Sequence, residues 1–113
     1  MACVFCQIAA HELDARIVYE DESAVAFYDI LQAAPVHILV IPRQHITGPL
    51  DVDGTQEQAI GHLIAVAAHI ARQEGIAESG YRLVTNQGRD GGQSVFHLHV
   101  HILGGRRMSW PPG

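Results

Sequence analysis

Lysine is absent from this chain; all seven basic residues are arginines. That absence removes a P-loop lysine, Schiff-base chemistry and lysine adenylation from the reactions open to it. With a formal net charge of −5, the chain also lacks the basic stripe that an extended nucleic-acid groove requires, so no nucleic-acid partner is expected. No apolar run approaches the ~20 residues that cross a bilayer. The start, Met1-Ala2-Cys3-Val4-Phe5-Cys6, has neither the basic residues nor the apolar stretch of a secretory signal. No membrane partner is expected, and the cytoplasm is the expected location. Cysteine is scarce, with Cys3 and Cys6 the only two. In a reducing compartment a structural disulfide is disfavoured, and the spacing suits metal or redox chemistry better.

What is present fits one domain spanning residues 1–113, with 48% hydrophobic and 17% charged residues, as in an ordinary globular protein. The unusual count is histidine, at eight. Residues Val4 to Ala10 suit a short helix. Arg16–Glu20 and Ala24–Asp29 read as a hairpin around the acidic turn Asp21-Glu22-Ser23. His37–Ile41 reads as a third strand closed by Pro42. A long helix is predicted from near Thr55 to just before Gly75. Thr55 and Gln58 have capping-box spacing, Gly75 suits a left-handed cap, and Ile60, Leu63, Ile64, Ala67, Ile70 and Ala71 form the apolar face. His62 and His69 fall off that face and read as surface histidines. Tyr81–Asn86 is a fourth strand, and Ser94 or Val95 to Leu103 a fifth, after the glycine-rich loop Gln87–Gln93. The expected class is α+β: a five-stranded antiparallel sheet with one long and one short helix.

In that fifth strand, period-two alternation sends Phe96, Leu98, Val100 and Ile102 to one face and His97, His99 and His101 to the other. Three imidazoles in a row are a poor structural choice, because each buried ring nitrogen needs a partner. Two readings remain: metal ligation, or a histidine nucleophile toward phosphorus whose neighbours orient it. Gly91-Gly92-Gln93-Ser94, immediately upstream, offers open backbone amides and a hydroxyl suited to phosphate oxygens and favours the nucleophile. A metallohydrolase with His97, His99 and His101 as ligands is disfavoured, since no nearby carboxylate could serve as its base.

The H-x-H-x-H run with its upstream GGQS resembles the histidine triad superfamily, in particular its Hint branch of purine nucleoside phosphoramidases. The likeness extends through Ala26–Ile30, Ala34–Pro42, Gly80-Tyr81-Arg82, Asp90–Ser94, His97–Gly105 and Trp110–Gly113. It implies that His99 attacks the phosphorus of an adenosine or guanosine 5′-phosphoramidate to form a nucleotidyl-histidine, with His101 and Ser94 at the phosphate and His37 in support. By itself His37 reads equally well as a core histidine. The likeness also assigns Asp29 to the ribose hydroxyls beside Ile30. It places Asn86, Gly92, Gln93, Ser94 and Val95 on the phosphate side, and Phe5, Ile8 and Phe27 around the purine. No cofactor is then required for catalysis. The superfamily's zinc-binding pattern matches Cys3, Cys6, His45 and His97, a closed set for a structural ion. The likeness further implies a homodimer in which the long helix and the Tyr81 strand pair across a two-fold axis into one continuous sheet. The tail from Arg106 to Gly113 would then reach the partner's site. A purine nucleotide-binding scaffold or sensor with incidental turnover would share the same residues.

Overall fold

A computed structural model describes residues 3–113. In chain order the elements are α1 (Val4–Ala9), β1 (Ile17–Glu20), β2 (Ala24–Tyr28), β3 (Val36–Pro42), α2 (Glu57–Gln73), β4 (Tyr81–Val84) and β5 (Val100–Gly104), with a single 3₁₀ turn at Pro49–Asp51. The strands form one antiparallel sheet in the order β1-β2-β3-β5-β4. The α+β class with one long and one short helix is as expected from the sequence. Among the described residues, no helix is long and apolar enough to cross a membrane.

Alternation along the central strands gives the sheet two apolar faces. Ala24, Ala26, Ile38, Val40, Val100 and Ile102 pack under Leu63, Val66, Ala67, Ile70 and Ala71 of α2. On the other face Val25, Phe27, Leu39 and Ile41 meet Phe5, Ile8 and Ala9 of α1. Burying a side chain of this kind contributes roughly 1.5–3 kcal/mol, so the α2 face supplies most of the core. The helix stops where expected: Gly75 takes φ +75°, and its N–H bonds back to the Arg72 carbonyl.

Three expectations are corrected. Thr55 and Gln58 do not form a capping box. Gln56 is the N-cap, without a side-chain bond to the helix; its Oε1 accepts the Asp53 N–H instead, and the Thr55 hydroxyl donates to Asp53 at 2.5 Å. Within α2, Ile64 is exposed and Val66 takes its place in the core. The fifth strand begins at Val100, so His97 and His99 precede it in irregular chain. The ladder with β3 ends at Val40 opposite Val100. Beyond it Pro42 has no N–H to give, and its carbonyl receives the His97 ring. The Leu98 N–H turns to the Ile46 carbonyl, and the His99 carbonyl accepts from the Thr85 hydroxyl. Leu98 still reaches the core, whereas Phe96 is exposed.

His62 is more than a surface histidine. Its Nε2 lies 2.6 Å from Asp21, whose carboxylate also accepts from the Tyr19 hydroxyl and the Ser23 and Ala24 N–H groups. Helix α2 is thereby tied to the β1–β2 turn. His69 is exposed and meets Tyr19 edge-on, with ring centroids 5.5 Å apart.

Candidate active site and metal centre

On the α1 face the register sets Leu39 directly opposite His101, so His37, two residues back along β3, is the diagonal neighbour of His101. His99 lies just before β5. Its Nδ1 is 2.8 Å from the His97 carbonyl, and the ring meets Phe5 edge-on. A carbonyl only accepts, so Nδ1 carries the proton and the neutral ring keeps its lone pair on Nε2.

The neighbouring pair is ordered by the opposite kind of contact. The Ala33 N–H donates to His37 Nδ1 at 3.0 Å, so His37 carries its proton on Nε2. That N–H points at His101 Nδ1, 2.8 Å away, which leaves the His101 proton on Nε2. One backbone carbonyl and one backbone N–H thus give the two adjacent rings complementary roles: His99 offers a lone pair and His101 an N–H. Burial pushes the affinity of both His37 and His101 for a second proton down; for His101 the pKa falls to about 4.

His99 and His101 open on a cavity of about 510 Å³. Phe5, Ile8 and Phe27 form apolar walls, and Asp29, Ile30, Ser94 and Val95 line it as well. Ile30 is 95% exposed at this cavity, an apolar surface that the described residues leave uncovered. His37 stands behind His101, outside the lining. Asn86, Gly92 and Gln93 also lie outside it. The glycine loop differs from its reading as an open amide cradle. The Gly92 and Gln93 N–H groups are used in turns, donating to the Arg89 and Gly88 carbonyls. Gly92 sits at φ +80°, and a Cβ on Gly91 would collide with the Gln87 backbone. The buried Gln93 amide braces Gly88, Thr47 and Val95. The loop delivers Ser94 and Val95 to the cavity rather than its glycines.

Several lining residues escaped the sequence reading. For Leu39 a signal was present, since it shares its strand face with His37. Arg16, whose guanidinium lies 4.1 Å from the Tyr28 ring centroid, and Asp14 carried no such signal, being isolated polar residues near a strand start.

Two side-chain clusters could concern a metal, and their geometry separates them. In the first, His97 Nδ1 lies 3.3 Å from Cys3 Sγ, 3.5 Å from Cys6 Sγ and 3.2 Å from His45 Nδ1, while His45 Nδ1 lies 3.4 Å from Cys6 Sγ. A tetrahedral zinc with bonds of ~2.0–2.3 Å has ligand–ligand edges of about 3.3–3.8 Å, and these distances match it closely. The His97 Nε2–H donates to the Pro42 carbonyl at 2.8 Å, which leaves a lone pair on Nδ1, facing the thiols. Burial, and then the adjoining Cys3, push the Cys6 thiol up, a cost that a dication would offset. The second cluster is Asp29, His37 and His101. Its two rings stand at hydrogen-bond distance, and His37 presents an N–H rather than a lone pair. It is a proton network, not a ligand set.

A five-stranded antiparallel sheet with a long helix on one face, and with ordered histidines and an apolar-walled cavity on the other, defines a small α+β histidine-site protein. The chain belongs to the HIT domain family, whose model matches residues 10–108. It is 52% identical over 105 residues to the purine nucleoside phosphoramidase of Escherichia coli K12, covering 93% of this chain and 88% of that protein. It is 50% identical over 110 residues to an uncharacterized HIT-like protein of Synechococcus elongatus, covering 97% and 96%. Among solved structures, a HIT family hydrolase from Legionella pneumophila superposes with a TM-score of 0.97 at 46% identity, over 99% of this chain and 100% of that one. A histidine triad protein from Clostridium difficile superposes with a TM-score of 0.92 at 40% identity, over 95% and 93%.

Proposed function

We propose that this protein is a purine nucleoside phosphoramidase that cleaves the P–N bond of adenosine or guanosine 5′-phosphoramidates. The observation that carries the reading is the His97 carbonyl on His99 Nδ1, which reserves the Nε2 lone pair for a substrate in the cavity. Similarity to the E. coli phosphoramidase supports the substrate class. In this reading the purine lies between Phe5, Ile8 and Phe27, and the ribose hydroxyls meet Asp29. The phosphate lies between Ser94, His99 and His101.

His99 Nε2 attacks phosphorus, a P–N bond to His99 forms, and the bond to the leaving nitrogen breaks. Water then attacks phosphorus, releases the nucleoside monophosphate and frees His99. Over both steps, the water's hydroxyl goes to phosphorus and one of its protons reaches the departing amine by way of His101. The His101 Nε2–H and the Ser94 hydroxyl donate to phosphoryl oxygens as negative charge builds there. His99→Ala should abolish turnover of a fluorogenic adenosine phosphoramidate while nucleoside monophosphate still binds. Rapid quench and mass analysis should find a nucleotidyl adduct on wild type alone. Retention of more than a few per cent of activity by His99→Ala would remove the nucleophile from the scheme.

Zinc at Cys3, Cys6, His45 and His97 is part of the same reading. With four protein ligands it leaves no open position, so it supplies rigidity to the α1 start and the chain before β5 and takes no part in the chemistry. The reading also includes a homodimer. Strand β4 is the outer strand of the sheet beyond β5, and the exposed Ile64 of α2 supports an apolar contact on the helix as well. The cytoplasm is the proposed location.

A further inference from the structure

Asp29 stands at two functional contacts at once. It lines the cavity, where the proposed reading gives it the ribose hydroxyls. Its Oδ2 also lies 3.3 Å from His37 Nε2, and Oδ1 accepts the Leu31 N–H at 3.1 Å, which fixes the carboxylate beside the ring. The His37 side chain is 6% exposed and that of Asp29 25%, so water screens this contact only partly.

A carboxylate next to an imidazole nitrogen favours a proton on that nitrogen. Asp29 therefore acts on His37 in the same sense as the Ala33 N–H does from the other side of the ring. Both hold the proton on Nε2, where it is donated to His101 Nδ1. We propose that Asp29 is a positioning residue for the His37–His101 pair, so that one carboxylate both receives the ribose and sets the His101 ring to present its N–H to the phosphate. The proposal rests on the phosphoramidase reading and deepens it.

The test separates the two duties by removing the ribose hydroxyls. Wild type, Asp29→Asn and Asp29→Glu are compared on adenosine 5′-phosphoramidate and on its 2′,3′-dideoxy counterpart. The asparagine amide can turn an N–H toward His37 Nε2 and favour the wrong tautomer. Asp29→Asn should therefore lower kcat by about tenfold on both substrates, the effect of one misdirected hydrogen bond near the reacting group. Asp29→Glu, which keeps the charge, should recover most of that kcat while KM for the ribose substrate stays raised. If Asp29→Asn raises KM for the ribose substrate alone and handles the dideoxy substrate like wild type, the positioning role is overturned.

A second readout needs no turnover. Nitrogen-15 imidazole spectra should show His37 as the Nε2–H tautomer in wild type and a mixture in Asp29→Asn, with thermal melts confirming that both are folded. Identical His37 spectra would overturn the proposal even if the enzyme is active. The expected spectral change in a protein that hydrolyses neither substrate would support the proposal and remove the phosphoramidase reading instead.

Discussion

His97 touches both candidate centres: its imidazole faces Cys3, Cys6 and His45, and its backbone carbonyl holds the ring of His99 at 2.8 Å. Successive residues of an extended chain point to opposite faces, so His97, His99 and His101 would share one face of a regular strand, but here the chain is irregular before β5 begins. The three histidines therefore separate into a ring facing the two thiols and His45, a ring set by its neighbour's carbonyl, and a ring set by His37. The side chains and the main chain of one short segment thus serve different chemistry without competing.

The proposed zinc site has a direct test. Protein purified without chelator should contain about one zinc per chain, as a closed four-ligand site would. Changing both Cys3 and Cys6 to Ser should remove the metal and lower Tm by roughly 10 °C, taking ~2 kcal/mol and 4–8 °C per kcal/mol for a domain of this size. Turnover at low temperature should stay within several-fold of wild type, because His99 is not a ligand. Metal-free protein with intact thiols and full stability would refute the site.

Acid sensitivity follows from the buried histidines. Burial, and then the neighbouring His99 and His37, lower the pKa of His101 from its ordinary 6.5 to about 4. Between those values the unfolded chain binds a proton that the folded protein refuses. The stability held above pH 6.5 should therefore be lost progressively as pH falls toward 4. His37, lowered chiefly by burial, acts in the same sense. Denaturant melts at pH 7, 6, 5 and 4 should show this fall, and His101→Gln should flatten it. An unchanged slope in the variant would mean that another group carries the acid limb.

The Asp21 hub should be worth more than an exposed ion pair. Burial opposes the charge on Asp21, but the bonds from His62, Tyr19 and the Ser23 and Ala24 N–H groups outweigh it and hold the carboxyl well below its usual range. Asp21→Ala should cost about 2 kcal/mol, since it strands several donors together, whereas His62→Ala should cost less than 1 kcal/mol, as for a half-exposed pair. Equal losses from the two variants would show that the helix contact, and not the turn, dominates.

The strands, the long helix and its glycine stop were legible because each rests on local periodicity or on a residue with one conformational use, as at Gly75. The start of β5 was not. Period-two alternation runs without a break from Phe96 to Ile102, and what ends the ladder is Pro42, a residue on another strand. The glycine loop misled for a related reason: the sequence shows that Gly91 and Gly92 free the backbone but not that the turn uses the Gly92 and Gln93 amides. The histidine run and the Gly91–Ser94 segment stood out in the sequence itself, whereas their individual roles and the other candidate site residues were named through family likeness. Their tautomers were beyond any sequence reading, because the Ala33 N–H and the His97 carbonyl meet the rings only through the fold.

The remaining prediction concerns assembly. Strand β4 is the outer strand beyond β5, and Ile64 of α2 is 51% exposed, an arrangement that suits an isologous contact through strand and helix together. The tail is held to its own chain only lightly. Arg82 of β4 donates to the Ser109 carbonyl, and its guanidinium lies 5.9 Å from the Trp110 ring centroid, yet that ring is 80% exposed. A tryptophan ring left in water is an apolar surface that gains by docking on a partner. Sedimentation at micromolar concentration should give a dimer, and Ile64→Asp should shift it toward monomer. Deleting Ser109 to Gly113 should leave the dimer intact but change kcat/KM, with the change depending on the leaving amine. A wild-type monomer would refute the interface. A truncated dimer with unaltered kinetics across several leaving groups would confine the tail to its own β4 and leave the interface standing.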